Sequence, residues 1–290
     1  MIRKPETEQL VADLLPVMGL RVLARVVHEL KLPPEEPEYR LRGEKILVML
    51  FAARAGSTYT GALIQNLPQF GIFTESLNPR ALERARLQYG LDDHGAALQS
   101  LLDHRGRDIF GFRCTQIGLA GAAATGLLSQ FRDRLSFVIL RRRNVTAQAV
   151  SMVRAQLSGQ FHSFQQAEKT VSIDDYDFEM IDNRRRKIDS IYSRHEKVLE
   201  ALGATAHTVY YEDIVADPGN FLVELCRYLN IDMPPDLALE TRVSKLPNRI
   251  NVRWIERYNA EAGIAEPSAV RPIAGLLNKL GLPLGKSRGA

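Results

Sequence analysis

The sequence predicts an α/β fold: a P-loop-like parallel sheet flanked by helices, with a helical extension at the N-terminus. Short apolar runs at 46–51, 109–113 and 137–141 are each followed by a helical pattern. Strands that alternate with helices are typical of a parallel sheet covered on both faces. The 290 residues are 45% hydrophobic and 25% charged, an ordinary composition for a globular protein with a large core.

The remaining pattern divides the chain into an N-terminal helical arm, 1–44, and a single larger domain, 45–290. Apolar residues of the arm recur at three- and four-residue steps, which predicts helices. Asp217 followed by Pro218 predicts the start of another helix in the domain. Further elements are expected as follows: strands at 71–76 and 207–213, and helices at 80–104 and 174–202.

Charge, cysteine content and hydropathy exclude several classes of protein. The formal net charge of +4 suits an anionic ligand but is too small to indicate nucleic acid by itself. Two cysteines, Cys114 and Cys226, do not make a disulfide framework. The longest apolar run, 46–53, is far shorter than the roughly 20 residues of a membrane-spanning helix. The start of the chain lacks the apolar centre of a signal peptide, so we expect a cytoplasmic protein.

The loop after the first apolar run has the features of an anion site. Gly56 permits close approach of a ligand, and the free N–H groups at a helix start favour negative charge. The hydroxyls of Ser57 and Thr58 add donors, and Arg54 adds positive charge. Phe51 and Ser57 stand where a Walker A loop has its first glycine and its lysine, which disfavours an ATP or GTP hydrolase. A simple helix start is the alternative interpretation.

A second basic motif follows the run at 137–141. Arg143 ends the strand region, and Ser151 lies eight residues later on the predicted helix. A guanidinium and a hydroxyl so placed can hold one phosphate from two sides, although a solvated basic turn would look the same. Two anion sites on one sheet edge suit a nucleotide with phosphates at both ends of its ribose, such as 3′-phosphoadenosine 5′-phosphosulfate (PAPS).

The motifs together resemble those of PAPS-dependent sulfotransferases. RAGST at 54–58, RNVTAQAVS at 143–151 and YYEDIVADPGN at 210–220 match the order and spacing of that superfamily. The segments FTESLNP and FGFR are most similar to bacterial carbohydrate sulfotransferases typified by trehalose 2-sulfotransferase. The resemblance covers roughly residues 45 to 260. It implies a sulfotransferase domain that moves a sulfuryl group from PAPS to a hydroxyl of a carbohydrate or glycolipid.

The resemblance also implies which residues bind the donor. For the 5′-phosphosulfate they are Arg54, Ala55, Gly56, Ser57 and Thr58, and for the 3′-phosphate they are Arg143 and Ser151. Ala55 stands where a serine is usual, and Arg113 stands where a lysine is common. No Arg-Lys-Gly loop is present, so Arg249 is the candidate lid residue, with Arg253 and Arg257 as alternatives.

In-line transfer needs an aligned acceptor oxygen and stabilisation of the leaving group. We expect Arg54 to supply that charge and Glu75, which matches the position of the family's proposed catalytic glutamate, to act as general base. His162 is the alternative base. The scheme requires no metal, and the six histidines show no ligand spacing.

Other functions remain as alternatives. A non-catalytic nucleotide-binding module of the same fold would bind the donor without turnover, and a kinase-like P-loop protein is opposed by the missing lysine. The basic clusters at 141–143 and 184–187 lie beside acidic residues, and no nucleic-acid motif is present, so no nucleic-acid partner is expected. Peripheral membrane contact and a homodimer are both compatible with the sequence.

Overall fold

The structure is a computed structural model that describes residues 3–161, 165–237, 239, 241 and 249–264. Within these ranges the chain forms a four-stranded parallel sheet with the order β2-β1-β3-β4. The strands are β1 (Lys45–Phe51), β2 (Ile109–Cys114), β3 (Leu135–Arg141) and β4 (Ala206–Tyr210). The predicted fold class, a parallel sheet flanked by helices, is confirmed.

Helices connect and cover these strands. They are α1 (Pro5–Met18), α2 (Leu20–Glu29), α3 (Ser57–Ile64), α4 (Pro79–Gln88), α5 (His94–Arg105), α6 (Gln116–Ala124), α7 (Leu127–Gln130), α8 (Val145–Ser158), α9 (Phe178–Leu202), α10 (Tyr211–Ala216), α11 (Pro218–Leu229) and α12 (Arg249–Glu261). Several begin at a polar residue whose side chain accepts a hydrogen bond from the first turn, for example Asn144 for α8 and Asp217 for α11. None of the described helices has the length and apolar character needed to cross a bilayer.

The sheet separates two apolar clusters because successive side chains of a strand point to opposite faces. On β1, Ile46, Val48 and Leu50 join the larger cluster, which includes residues of α1, α2, α6, α8, α9 and α12. Leu47 and Met49 join the smaller one, with residues of α3 and α11. All five side chains are fully buried, as the continuous apolar run predicts.

The N-terminal arm packs on the larger cluster. Leu14 of α1 and Val26 of α2 are fully buried there, in the cluster that contains Ile46 of β1. Gly19, with φ of 82°, separates the two helices. The apolar stripe read from the sequence therefore faces the body of the protein.

Two predicted strands differ from the structure. The segment 71–76 runs beside β2 but makes only isolated bridges, Phe70 to Ile109 and Thr74 to Phe112. Backbone pairing between the two bridges is interrupted because the N–H of Phe73 donates to the Gln65 side chain at 2.7 Å. The strand predicted at 207–213 ends at Tyr210, because α10 begins at Tyr211.

Two predicted helices also have different bounds. The helix predicted at 80–104 is two helices, α4 and α5, separated by a turn that contains Gly90 with φ of 62°. The helix predicted at 174–202 begins only at Phe178, because the Asp177 side chain caps it by accepting from the N–H of Met180 at 2.8 Å.

The packing of Phe73 on Gly111 predicts a stability change. A Cβ at position 111 would lie 2.4 Å from the Phe73 ring, so Gly111→Ala must displace that ring or β2. We expect a loss of about 1–3 kcal/mol, measured as a lower melting temperature. Gly219→Ala is the matched control, because its Cβ would meet nothing closer than 3.4 Å. Equal melting temperatures for the two variants would contradict this packing.

A buried histidine predicts a pH dependence of stability. His195 on α9 is 0% exposed, and neither ring nitrogen has a hydrogen-bond partner among the described residues. Burial, aided by the positive charge of Arg141, lowers the pKa of His195 to about 4. In the unfolded chain the value is about 6.5, so falling pH protonates the unfolded chain first. Neutral His195 therefore contributes about 3 kcal/mol to the free energy of unfolding. This contribution is complete above pH 6.5 and is lost progressively between pH 6.5 and 4.

The measurement is the melting temperature from pH 7 to pH 4.5. His195→Leu should flatten the decline seen in wild type over that range. His28→Gln, which removes an exposed histidine, should leave the decline unchanged. A decline in His195→Leu as steep as in wild type would show that other groups cause it.

Candidate active site at the carboxyl edge of the sheet

The carboxyl ends of β1, β2 and β3 meet at one edge, where ligands of parallel α/β sheets bind. The loop 52–56 leaves β1 at this edge and leads into α3. The segment that carries Glu75 lies beside β2, and the arginines that follow β3 lead into α8. Both motifs singled out in the sequence are therefore at the same edge.

The loop after β1 is held in a tight, left-handed turn. Arg54 and Gly56 have φ of 67° and 96°, and the N–H of Ala55 donates to the carbonyl of Ala52 at 3.1 Å. A Cβ on Gly56 would lie 2.1 Å from the ring of Tyr211, so only glycine fits under that ring. From α8, the amide of Gln148 donates to the carbonyls of residues 52 and 53 at 3.2 and 2.9 Å. These contacts fix the loop so that α3 starts at Ser57 with no side-chain cap.

Arg113, at the end of β2, points into the start of α3. Its Nη1 donates to Thr58 Oγ1 at 3.0 Å and to Ser57 Oγ at 3.3 Å. Burial lowers the pKa of Arg113, while the negative charge of Glu75 opposes that shift. In the sequence, Arg113 is distinguished only by standing where a lysine is common. The sheet order, which places β2 next to β1, is the signal that identifies it as a site residue.

Glu75 lies near Arg113 and is half-buried. Its backbone is fixed on both sides, since Asn78 Nδ2 donates to the carbonyl of Glu75 at 3.0 Å and the hydroxyls of Thr74 and Ser76 are 2.9 Å apart. The structure therefore brings together Glu75, Arg113 and the first turn of α3. The alternative base, His162, lies outside the described residues.

Ser151 on α8 is joined to the first loop. Arg54 Nε donates to Ser151 Oγ at 2.9 Å, and Arg54 Nη1 donates to the carbonyl of Phe161 at 2.7 Å. Arg143 is held differently: its Nη2 is 2.7 Å from Asp213 Oδ2, and its guanidinium lies 3.9 Å from the Tyr210 ring centre. The predicted pair of Arg143 and Ser151 is thus at one edge, but each has another partner in this structure.

Arg142 and Glu212 are site residues that the sequence analysis did not single out. Arg142 Nε is 3.6 Å from Glu212 Oε1, and its Nη1 donates to the carbonyl of Arg54 at 3.4 Å. Glu212 also accepts from the N–H groups of Arg143 and Asn144, at 2.9 and 3.3 Å. One carboxylate of α10 therefore orders the whole turn after β3. Burial lowers the pKa of Arg142, and Glu212 opposes the shift.

The edge carries an excess of positive charge. Burial lowers the pKa of Arg54, and the charges of Arg154 and Arg142 lower it further. An arginine guanidinium keeps its positive charge at neutral pH in proteins. The charged guanidiniums of Arg54, Arg142 and Arg154 therefore favour binding of an anion, which would offset their mutual repulsion.

The candidate lid residue Arg249 is exposed at the start of α12, and residues 242–248 before it lie outside the described ranges. The two alternatives are bound within α12: Arg253 is 3.7 Å from Glu256, and Arg257 is 2.7 Å from Glu261. In the part of the chain that is described, no group of three His, Cys, Asp or Glu side chains is placed to hold a metal ion.

Comparison with known proteins finds a family model that matches part of the chain. Residues 118–261 match the family model described as Stf0 sulphotransferase. No curated protein matches the chain. Three solved structures that the chain resembles are all sulfotransferases, and each shares less than 15% identity with it.

The sulfotransferase domain of the olefin synthase from Synechococcus PCC 7002 is 14% identical, with a TM-score of 0.41, over 86% of this chain and 98% of that one. The sulfotransferase from Alicyclobacillus acidocaldarius is 13% identical, with a TM-score of 0.47, over 85% of this chain and 98% of that one. Mouse sulfotransferase SULT7A1 complexed with PAP is 12% identical, with a TM-score of 0.42, over 88% and 74%. The family match covers slightly less than half of this chain.

Proposed function

We propose that this protein transfers a sulfuryl group from PAPS to a hydroxyl of a carbohydrate or glycolipid acceptor. The observation that carries the proposal is the carboxyl edge itself. There an uncapped helix start lies beside Arg113, Arg54 belongs to the loop that leads into it, and Glu75 lies near Arg113. The family match supports sulfuryl transfer in general, and the motif resemblance supports this donor and this acceptor class.

The donor's charge fits the edge. Its 5′-phosphosulfate would lie on the N–H groups at the start of α3, with Arg54 and the hydroxyls of Ser57 and Thr58 as further donors. Its 3′-phosphate would lie near Ser151 and Arg143. The ion pair of Arg143 with Asp213 is half-exposed on both sides, so it is weak enough for a phosphate to replace.

The reaction would use Glu75 and the surrounding cations. Glu75 accepts the proton of the acceptor hydroxyl while the oxygen of that hydroxyl bonds to sulfur. At the same time, the bond from sulfur to the phosphate oxygen breaks. The leaving nucleotide, 3′-phosphoadenosine 5′-phosphate (PAP), gains negative charge at that oxygen. Arg54, Arg113 and the N–H groups of α3 stabilise this charge without moving far, because they are already held in place.

The remaining parts of the proposal rest on the sequence. Arg249 would close over the nucleotide, the protein would act in the cytoplasm, and its partners would be the nucleotide and the sugar acceptor. A non-catalytic module of the same fold is the second candidate. Binding of the donor without turnover would favour this candidate.

The proposed donor predicts selective binding of PAP. Calorimetry should show micromolar binding of PAP and much weaker binding of ATP, which lacks the 3′-phosphate. Arg54→Gln should weaken PAP binding about 10- to 100-fold, because it removes charge-assisted hydrogen bonds worth about 1.5–3 kcal/mol.

Arg186→Gln is the control, since it removes an equal charge from an exposed pair with Asp182 on α9. Its affinity for PAP should equal that of wild type. Stronger binding of ATP than of PAP would contradict the proposed donor.

The proposed role of Glu75 as general base predicts a change in turnover. Glu75→Gln should lower kcat about 10²- to 10⁴-fold, the usual contribution of a general base, and should leave PAP affinity nearly unchanged. Transfer of labelled sulfate from PAPS to a panel of oligosaccharides, including trehalose, measures it. Glu224→Gln, at an exposed position on α11, should keep full activity. Full activity in Glu75→Gln would assign the base elsewhere, and binding without any turnover in wild type would favour the non-catalytic module.

A further inference from the structure

We propose that Arg154 is a further donor-binding residue, which contacts the 3′-phosphate of the nucleotide beside Ser151. The inference deepens the proposed function and rests on it. Arg154 is not among the residues that the motif resemblance assigns to the donor.

The position of Arg154 on α8 is the first observation. It follows Ser151 by three residues, and side chains at that spacing are neighbours on a helix surface. Ser151 in turn accepts a hydrogen bond from Arg54 at 2.9 Å. The charge of Arg154 lowers the pKa of Arg54, as two nearby guanidiniums must. Arg54, Ser151 and Arg154 therefore form one cluster.

The missing counter-charge is the second observation. Two other arginines at this edge are each matched by a carboxylate, Arg142 by Glu212 and Arg143 by Asp213. Arg154 has no such ion pair among the described residues, and its Nε is buried there without a hydrogen-bond partner. Burial lowers the pKa of Arg154 as well. A buried donor left unpaired is costly, so this arrangement favours a ligand that supplies the acceptor.

The chemistry of the cluster selects a phosphate. A guanidinium presents donors in a fixed fork, and a dianionic phosphate offers several acceptor oxygens that the Arg154 fork and the Ser151 hydroxyl can share. An uncharged sugar or an adenine ring would leave the repulsion between Arg54 and Arg154 in place. The donor carries two anionic groups, and the start of α3 with Arg54 suits the 5′ group. The 3′-phosphate is left for Ser151 and Arg154 on α8.

The test compares two nucleotides that differ only in the 3′-phosphate. Calorimetry is done with PAP and with adenosine 5′-monophosphate on wild type, Arg154→Gln and Arg154→Lys. We expect Arg154→Gln to weaken PAP binding about 10- to 100-fold and to change the affinity for the monophosphate less than about twofold. The PAP affinity of Arg154→Lys should lie between those of wild type and Arg154→Gln, because lysine keeps the charge but lacks the forked donors of the guanidinium.

Arg186→Gln is again the matched control, and thermal melting verifies that each variant is folded. Unchanged PAP affinity in folded Arg154→Gln would overturn this inference alone. Equal losses for both nucleotides would also overturn it, because Arg154 would then act on the 5′ end. Failure of wild type to bind PAP would overturn the proposed function, and this inference with it.

Discussion

Positive charge crowded at one edge of the sheet is the constraint on which the site depends. Arg54, Arg113, Arg142 and Arg154 all have their pKa lowered by burial, so each loses part of its contact with water. Two glutamates act on this group: Glu75 near Arg113 and Glu212 beside Arg142. The folded chain therefore keeps unbalanced cations close together, which has a free-energy cost that a bound polyanion would offset.

The cations differ in how firmly they are held, and this difference assigns them roles. Arg142 lies between the carbonyl of Arg54 and Glu212, and it also stacks near the Tyr211 ring at 5.5 Å. It links the loop after β1 to the turn after β3 and so acts as a structural tie. Arg54 has a hydroxyl and a carbonyl as partners, and these neutral groups leave its charge for a ligand.

The sequence predicts the elements of the fold better than it predicts the contacts between them. The apolar run of β1 and the capping pair Asp217 and Pro218 depend on local pattern, and both are where the pattern places them. The segment 71–76 has the composition of a strand, but the N–H of Phe73 donates to the Gln65 side chain and interrupts the backbone pairing, which local pattern does not record. Likewise, Tyr211 continues an apolar strand pattern yet begins α10.

In the candidate site too, local motifs are predictable from the sequence, whereas the contacts between them are not. The loop after β1 and the serine on α8 are recognisable from residue types and spacing. The hydrogen bond between Arg54 and Ser151 depends on a left-handed residue and on two helices meeting, and the role of Arg113 depends on the order of the strands. Such contacts follow from tertiary structure, so a motif alone pairs Ser151 with Arg143, whereas the folded chain pairs it with Arg54.

A crystal structure of the protein with PAP would locate both phosphorus atoms and so show whether this edge binds the nucleotide. We expect the 5′-phosphate at the start of α3, within hydrogen-bond distance of the N–H groups of residues 56–58. We expect the 3′-phosphate beside Ser151, with the present bond from Arg54 to Ser151 loosened or shared. A nucleotide bound away from this edge, with that bond intact, would show that the crowded arginines do not form the donor site.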